Sequence, residues 1–220
     1  MKRRTLDVVF SAGGMALAAL LLVLGLVMSS NANFAKGYVK DQLSQQNISF
    51  PPSDALSAEE QQSACLVKYA GQPLTTGKQA ECYANDFIGL HLQSIADGQT
   101  YAELGAPQSA LRDQVAAAAA DDPALPDLEE QLTAVTAQRD SLFKGETLRG
   151  LLLTSFGFSV FGVKGAQVAT VAYIVAALLA LLSIAGFVHA IKTPKDKAFA
   201  APGPGHVNGS KADDKQLTGV

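Results

Sequence analysis

The chain has 220 residues and a formal net charge of -3, but its charges are unevenly spread. Residues 31–165 carry nine Lys and Arg against sixteen Asp and Glu, whereas residues 1–7 and 192–220 are each net basic. Nucleic-acid binding needs a clustered basic surface, which an acidic middle segment does not offer, so no nucleic-acid partner is expected. Two long uncharged apolar runs flank this segment and predict an all-α membrane protein.

The first apolar run covers residues 8–30 and follows the basic residues Lys2, Arg3 and Arg4. Basic residues beside a span stay on the cytoplasmic side, so residues 1–7 are expected inside and residues 8–30 form transmembrane helix 1. A cleaved signal peptide is the alternative, because Ser30-Asn31-Ala32 resembles a small-x-small cleavage site. Signal peptides have apolar cores of roughly 7–15 residues, and the longer run here favours an uncleaved helix.

Residues 31–147 are rich in Ala, Gln, Leu and Glu and show no alternation of apolar and polar residues. This composition predicts a helical extracytoplasmic domain. Residues with the spacing of a capping box stand at Ser57–Glu60 and again at Thr100–Glu103. Breaks at prolines and glycines divide the domain into expected helices at about residues 57–69, 78–96, 107–120 and 126–144, the last ended by Gly145.

The segment 148–165 is apolar but interrupted by four glycines. We expect an interfacial or re-entrant segment that bends at these glycines before the second span. Aromatic side chains favour the membrane surface, so the interfacial anchors are predicted to be Phe156, Phe158 and Phe161.

The second span covers residues 166–191, which contain no Asp, Glu, Lys or Arg. Lys192, Lys195 and Lys197 follow it and place residues 192–220 in the cytoplasm. This tail is rich in proline and glycine and is expected to be disordered. The predicted location is the plasma membrane, with both termini cytoplasmic and residues 31–165 extracytoplasmic.

Cys65 and Cys82 are the only two cysteines, and both fall in the segment predicted to be outside. An oxidising compartment favours a structural disulfide between them. A metal or redox pair is the alternative, but the long spacing is unlike the short Cys-x-x-Cys of such sites.

The sequence offers no catalytic, cofactor-binding or metal-binding constellation that we would assign. His91 is the only histidine between the two spans, and its plain interpretation is a histidine on the polar or boundary face of its helix. Gly71 to Lys78 resembles a phosphate-binding loop but has five residues between its glycines, where that loop needs four.

Small residues recur every four positions in both spans and predict flat surfaces for helix packing. These residues are Gly14 and Ala18 in the first span and Ala172, Ala176 and Ala180 in the second. Alanines that simply face lipid are the alternative.

Three stretches carry a resemblance to a known family: KRRTLDVVFSAGGMALAALLLVLGLVM, CLVKYAGQPLTTGKQAECYANDFIGLHL and GETLRGLLLTSFGFSVFG. They resemble a family of two-span actinobacterial membrane proteins often labelled "aromatic ring-opening dioxygenase". Extradiol dioxygenases bind iron through two histidines and a carboxylate. One histidine between the spans does not supply that set. The layout is also similar to accessory subunits of the actinobacterial cytochrome bcc-aa3 respiratory supercomplex.

The sequence therefore favours a non-enzymatic accessory or assembly subunit of a larger, possibly respiratory, membrane complex. Its expected partners are other integral membrane proteins and the lipid bilayer. The alternative is a stand-alone envelope protein whose extracytoplasmic domain binds a lipid or small ligand.

Overall fold

The computed structural model describes residues 3–194, which are mostly helical and form no strand. The α-helices are α1 (Arg3–Gln45), α2 (Ala64–Tyr69), α3 (Gly77–Cys82), α4 (Gly89–Ile95), α5 (Gly105–Ala117) and α6 (Leu125–Lys192). Short 3-10 helices lie at Ser53–Ala55 and Glu60–Gln62, and a π-helix at Tyr83–Ile88 joins α3 to α4. By length and composition alone, α1 and α6 are candidate membrane spans.

The chain forms two compact units. One comprises residues 24–172 and holds all of the short helices. The other has described residues 3–23 and 173–194, which come from α1, from α6 and from the two residues after α6. The unit of residues 24–172 contains the hydrophobic core, in which Leu66 and Leu74 are fully buried.

The segment after α1 is held by a short antiparallel pairing. Phe50 N–H donates to Gln72 O at 2.9 Å, and Leu74 N–H donates to Ile48 O at 2.9 Å. Gly71 takes a φ of 71°, which a glycine adopts without the steric penalty of a Cβ. The residues that resembled a phosphate loop therefore form a turn that pairs with residues 48–50.

Reciprocal capping bonds form at two places among the short helices. Thr76 and Gln79 form a capping box at α3, where Gln79 Oε1 accepts from the backbone N–H of Thr76 at 3.0 Å. The predicted pair at Ser57 and Glu60 also forms both bonds. A 3-10 turn follows that pair, and α2 starts only at Ala64, so the single helix expected over residues 57–69 is wrong.

Arg139 fixes α5 against the first part of α6. Its guanidinium lies 4.1 Å from the Tyr101 ring centroid, and it donates to Tyr101 O at 3.2 Å and to Gln108 Oε1. Gln108 Nε2 in turn donates to Thr136 Oγ1 at 2.8 Å. These bonds satisfy the buried Gln108 amide at both ends.

The structure corrects two predictions about α6. Gly145 does not end the helix, and the glycines of residues 148–165 introduce no break, because α6 is continuous from Leu125 to Lys192. Tertiary packing overrides the low helix propensity of glycine here. A Cβ on Gly145 would collide with Leu92 of α4, and one on Gly162 would lie 3.0 Å from Ala35 Cβ of α1. These glycines permit close helix contact instead of bending the chain.

In the unit of residues 3–23 and 173–194, serine and glycine interlock. A Cβ on Gly14 would lie 2.5 Å from Ser183 Oγ, and a Cβ on Gly186 would collide with Ser11 Oγ. Ser11 and Ser183 are both buried. Each serine therefore occupies the space that a glycine on the other helix leaves open.

Other predicted boundaries differ less. The structure has α5 at Gly105–Ala117 where residues 107–120 were expected, and it divides the expected helix 78–96 into α3, the π-helix and α4. The predicted disorder of residues 192–220 falls almost wholly outside the described residues, which end at residue 194.

We predict that Gly77→Ala destabilises the protein by about 1–3 kcal/mol, as overpacking does. A Cβ on Gly77 would collide with Ser159 and lie 3.3 Å from the Phe156 backbone of α6. The matched control is Gly150→Ala, because nothing lies within 4 Å of that Cβ position. It should be neutral or stabilising, since glycine inside a helix costs roughly 0.5–1 kcal/mol relative to alanine. Thermal unfolding in detergent would contradict the packing if the two variants shifted Tm alike.

Candidate functional site

The candidate site is an apolar groove between α1 and α6 in the unit of residues 24–172. Its cavity is about 360 Å³. Residues of α1 and those just after it form one wall, including Tyr38, Leu43 and Ile48, and α6 forms the other with Leu148 and Leu151. Such a cavity has the size and lining of a site for an apolar chain or side chain.

Exposed aromatic side chains continue this groove along both helices. The rings of Phe34 and Tyr38 stack with centroids 5.8 Å apart, and Phe158 meets Tyr38 edge-on at 5.8 Å. Phe34 and Phe161 are 63% and 77% exposed, and Leu151 is 62% exposed. We call these five residues the aromatic face. So many exposed large apolar side chains together are typical of a surface that another molecule covers.

The three predicted interfacial anchors have different environments. Phe158 and Phe161 are exposed members of the aromatic face. Phe156 is half-buried, and its ring lies under Lys78, with Nζ 4.8 Å from the centroid. Phe156 therefore packs α6 against α3, and sequence reasoning missed Phe34 and Tyr38, which stand four residues apart on α1.

The predicted helix-packing residues are largely inside the chain. Ala18, Ala172 and Ala176 are buried, whereas Gly14 and Ala180 are half-buried. Ala18, Ala172 and Ala176 are therefore covered by other residues of this chain. Ser11 and Ser183 were missed, although Ser-x-x-Gly occurs in both spans at Ser11–Gly14 and at Ser183–Gly186.

The predicted disulfide between Cys65 and Cys82 is confirmed, with their Cα atoms 6.1 Å apart. Asp86 lies beside it, with Oδ2 3.1 Å from Cys65 Sγ and 2.5 Å from Ser63 Oγ, which donates to it. Among the described residues, one group of His, Cys, Asp or Glu side chains is close enough to share a metal ion. It consists of Cys65, Cys82 and Asp86. Its cysteines are already bonded to each other, so the group is a staple with a neighbouring carboxylate.

A second polar cluster surrounds the buried carboxylate of Glu60. His91 Nε2 lies 3.9 Å from Glu60 Oε1, and Ser57 N–H donates to Oε2 at 2.7 Å. Burial, and secondarily the charge of Glu60, raise the pKa of the Tyr83 hydroxyl. The folded state favours the neutral phenol. The stability that Tyr83 adds to the fold is therefore complete below the ordinary pKa of 10.0 and is lost as the pH rises through the raised pKa.

At the exposed turn before α5, hydrogen bonds from the backbone and side chain of Thr100 lower the pKa of Glu103. The stabilisation from these bonds is present above the ordinary pKa of a glutamate. It is lost as the pH falls through the lowered value.

The chain was compared with protein families, curated proteins and solved structures. No family model matches the chain, and neither a curated protein nor a solved structure matches it.

We predict that Cys65 and Cys82 are joined in the mature protein. Intact mass after alkylation should show no blocked thiol before reduction and two after it. The Cys65→Ser/Cys82→Ser variant should be less stable to unfolding by about 3 kcal/mol. The bridge joins residues 17 positions apart, and closing a loop of that size restricts the unfolded chain by about this amount. Alkylated cysteines in unreduced protein would contradict the pairing.

Proposed function

We propose that this chain is a non-enzymatic, two-span plasma-membrane protein that serves as an accessory or assembly subunit of a larger membrane complex. A respiratory complex is the first candidate, because of the resemblance in layout to such subunits. The observation that carries the proposal is the aromatic face of residues 24–172, which α1 and α6 leave exposed.

The proposed topology places residues 8–30 and 166–191 in the bilayer. Basic residues follow the second span and precede the first, which keeps both flanks in the cytoplasm. Residues 31–165 are then outside, in a compartment where a disulfide persists. Large apolar side chains of both spans, such as Phe10 and Leu181, are exposed in the chain alone and suit contact with lipid.

The length of the apolar part of α6 supports a protein partner. Residues 166–191 rise about 39 Å along a helix, which exceeds the ~30 Å hydrocarbon core. Residues 150–163 precede this span, also contain no charge, and include the exposed Leu151, Phe158 and Phe161. Residues 166–191 already span the hydrocarbon core, so the exposed side chains of residues 150–163 are expected to lie outside it. A neighbouring integral membrane protein would remove them from water.

The topology can be tested with reporter fusions at residues 2 and 220 and an insertion near residue 120, in the turn after α5. We expect cytoplasmic reporters to be active at both ends and an extracytoplasmic reporter to be active at the insertion. An outside location for either end, or a mature chain that starts near Asn33, would overturn the two-span topology.

We predict that Phe161→Ala releases the partner, with at least tenfold weaker retention in a complex extracted in mild detergent. Removing an anchor from the centre of an interface has effects of this size. The matched control is Phe10→Ala, because Phe10 is 76% exposed and Phe161 is 77% exposed, but Phe10 would face lipid. Quantitative mass spectrometry of the co-purified proteins measures both. Equal retention in the two variants would count against the aromatic face as the docking surface.

The 360 Å³ groove favours a second candidate function, in which a stand-alone envelope protein binds a lipid chain or a small apolar ligand. Native mass spectrometry separates the two candidates. A lipid adduct that Ser155→Phe removes, without any co-purifying protein in the wild type, would favour the second.

A further inference from the structure

The disulfide between Cys65 and Cys82 borders an open cleft. Both cysteines line this cleft of about 330 Å³, together with Lys78, Glu81 and Asp86. Cys82 is 6% exposed and Cys65 is half-buried, so Cys65 is the more accessible of the two residues. A thiolate breaks a disulfide by attacking one of its sulfurs, and access decides which sulfur it reaches. A thiol that enters the cleft therefore meets Cys65 first.

A carboxylate lies against the sulfur of Cys65. Asp86 Oδ2 is 3.1 Å from Cys65 Sγ, and it accepts a hydrogen bond from Ser63 Oγ at 2.5 Å. The sulfur carries no proton in the disulfide, so it has nothing to donate to the carboxylate. A thiol at the same position would donate its S–H to Asp86. A hydrogen bond at this contact is therefore available only to the reduced protein.

We propose that the Cys65–Cys82 disulfide is reversible and that Asp86 is a positioning residue that favours its reduced form. A hydrogen bond to an ionised group is stronger than one between neutral groups. Because Asp86 accepts this bond in the dithiol and not in the disulfide, it shifts the equilibrium toward the dithiol. The reduction potential becomes less negative as a result.

The co-reactant is a dithiol. One of its thiolates attacks Cys65 Sγ, the S–S bond breaks, and the electron pair of that bond stays on Cys82 Sγ, which takes up a proton. The second thiolate of the reductant then attacks the reductant's own sulfur in the mixed disulfide and releases Cys65. The reductant leaves as a disulfide, having lost two protons and two electrons. Cys65 takes up the second proton and donates it in a hydrogen bond to Asp86.

Reduction would release α2, because the disulfide ties this helix to the end of α3. A helix of six residues is too short to be stable without such a connection. The proposed change therefore acts on a part of the domain that depends on its covalent link. This inference does not depend on the proposed subunit role, since the redox equilibrium is a property of the chain alone.

The test equilibrates the full-length chain in detergent with mixtures of dithiothreitol and its oxidised form. Alkylation and intact mass give the reduced fraction, and circular dichroism shows whether the protein is folded. We expect the folded wild type to be reduced in one two-electron step. Asp86→Ala should lower the equilibrium constant for reduction at least tenfold, which is about 30 mV for this couple. Asp86→Asn should lower it at least threefold, because its amide oxygen accepts without a charge.

Glu81→Gln is the matched control. Glu81 lines the same cleft and its carboxylate pairs with Lys78 Nζ at 2.9 Å, so this variant removes one negative charge without removing the acceptor at Cys65. It should keep the wild-type equilibrium constant within twofold. An equal shift in Glu81→Gln and Asp86→Ala would assign the effect to net charge and overturn the proposal.

Two other results would also overturn the proposal. One is the appearance of thiols in the wild type only as its helical signal is lost, because the disulfide would then resist reduction in the folded state. The other is a wild-type equilibrium constant in a folded Asp86 variant. Asp86→Asn keeps the size of the side chain and an acceptor for Ser63, so it decides the question if Asp86→Ala does not fold.

Discussion

The close approach of α1 and α6 is the contact on which the rest of this structure depends. Glycine makes it possible, since Gly162 meets Ala35 in one unit, and Gly14 and Gly186 receive Ser183 and Ser11 in the other. Small side chains allow two backbones to approach, and the gain is dispersion contact along the helix pair. Glycine has a low helix propensity and would be expected to destabilise these helices. Here the glycines are the positions at which the two helices come into contact.

The short helices between α1 and α6 have little length of their own, so they depend on covalent and polar constraints. Helices of six or seven residues are far below the length at which isolated helices are stable. The disulfide ties α2 to the end of α3, and the bonds of Phe50 and Leu74 hold the turn that precedes α3. Leu66 and Leu74 are then fully buried beneath these connections. Helix caps and one disulfide therefore stabilise helices that would be too short to be stable in isolation.

The fold leaves part of its apolar surface exposed. The core uses one side of α6, where Val135, Leu142 and Leu152 are buried, but Leu151, Phe158 and Phe161 remain exposed. A monomeric soluble protein rarely exposes aromatic side chains in this number along one face. The groove and the aromatic face share Tyr38, Leu151 and Phe158, so a lipid chain and a protein neighbour would compete for the same apolar surface. Neither use requires chemistry at the disulfide or at Glu60.

The sequence by itself determined the helical class, the two long apolar helices and the Cys65–Cys82 pair. Each of these follows from composition, from an uncharged run or from a count of two cysteines, and none needs a contact partner to be known. Only the tertiary structure decided that α6 continues through Gly145 and Gly162, because Gly145 packs against the Leu92 side chain and Gly162 against that of Ala35. The burial of Ala172 and Ala176, the exposure of Phe34 and the contact of Asp86 with Cys65 were likewise beyond the sequence. Burial depends on contacts between residues that are distant in the sequence, and those contacts are known only once the chain has folded.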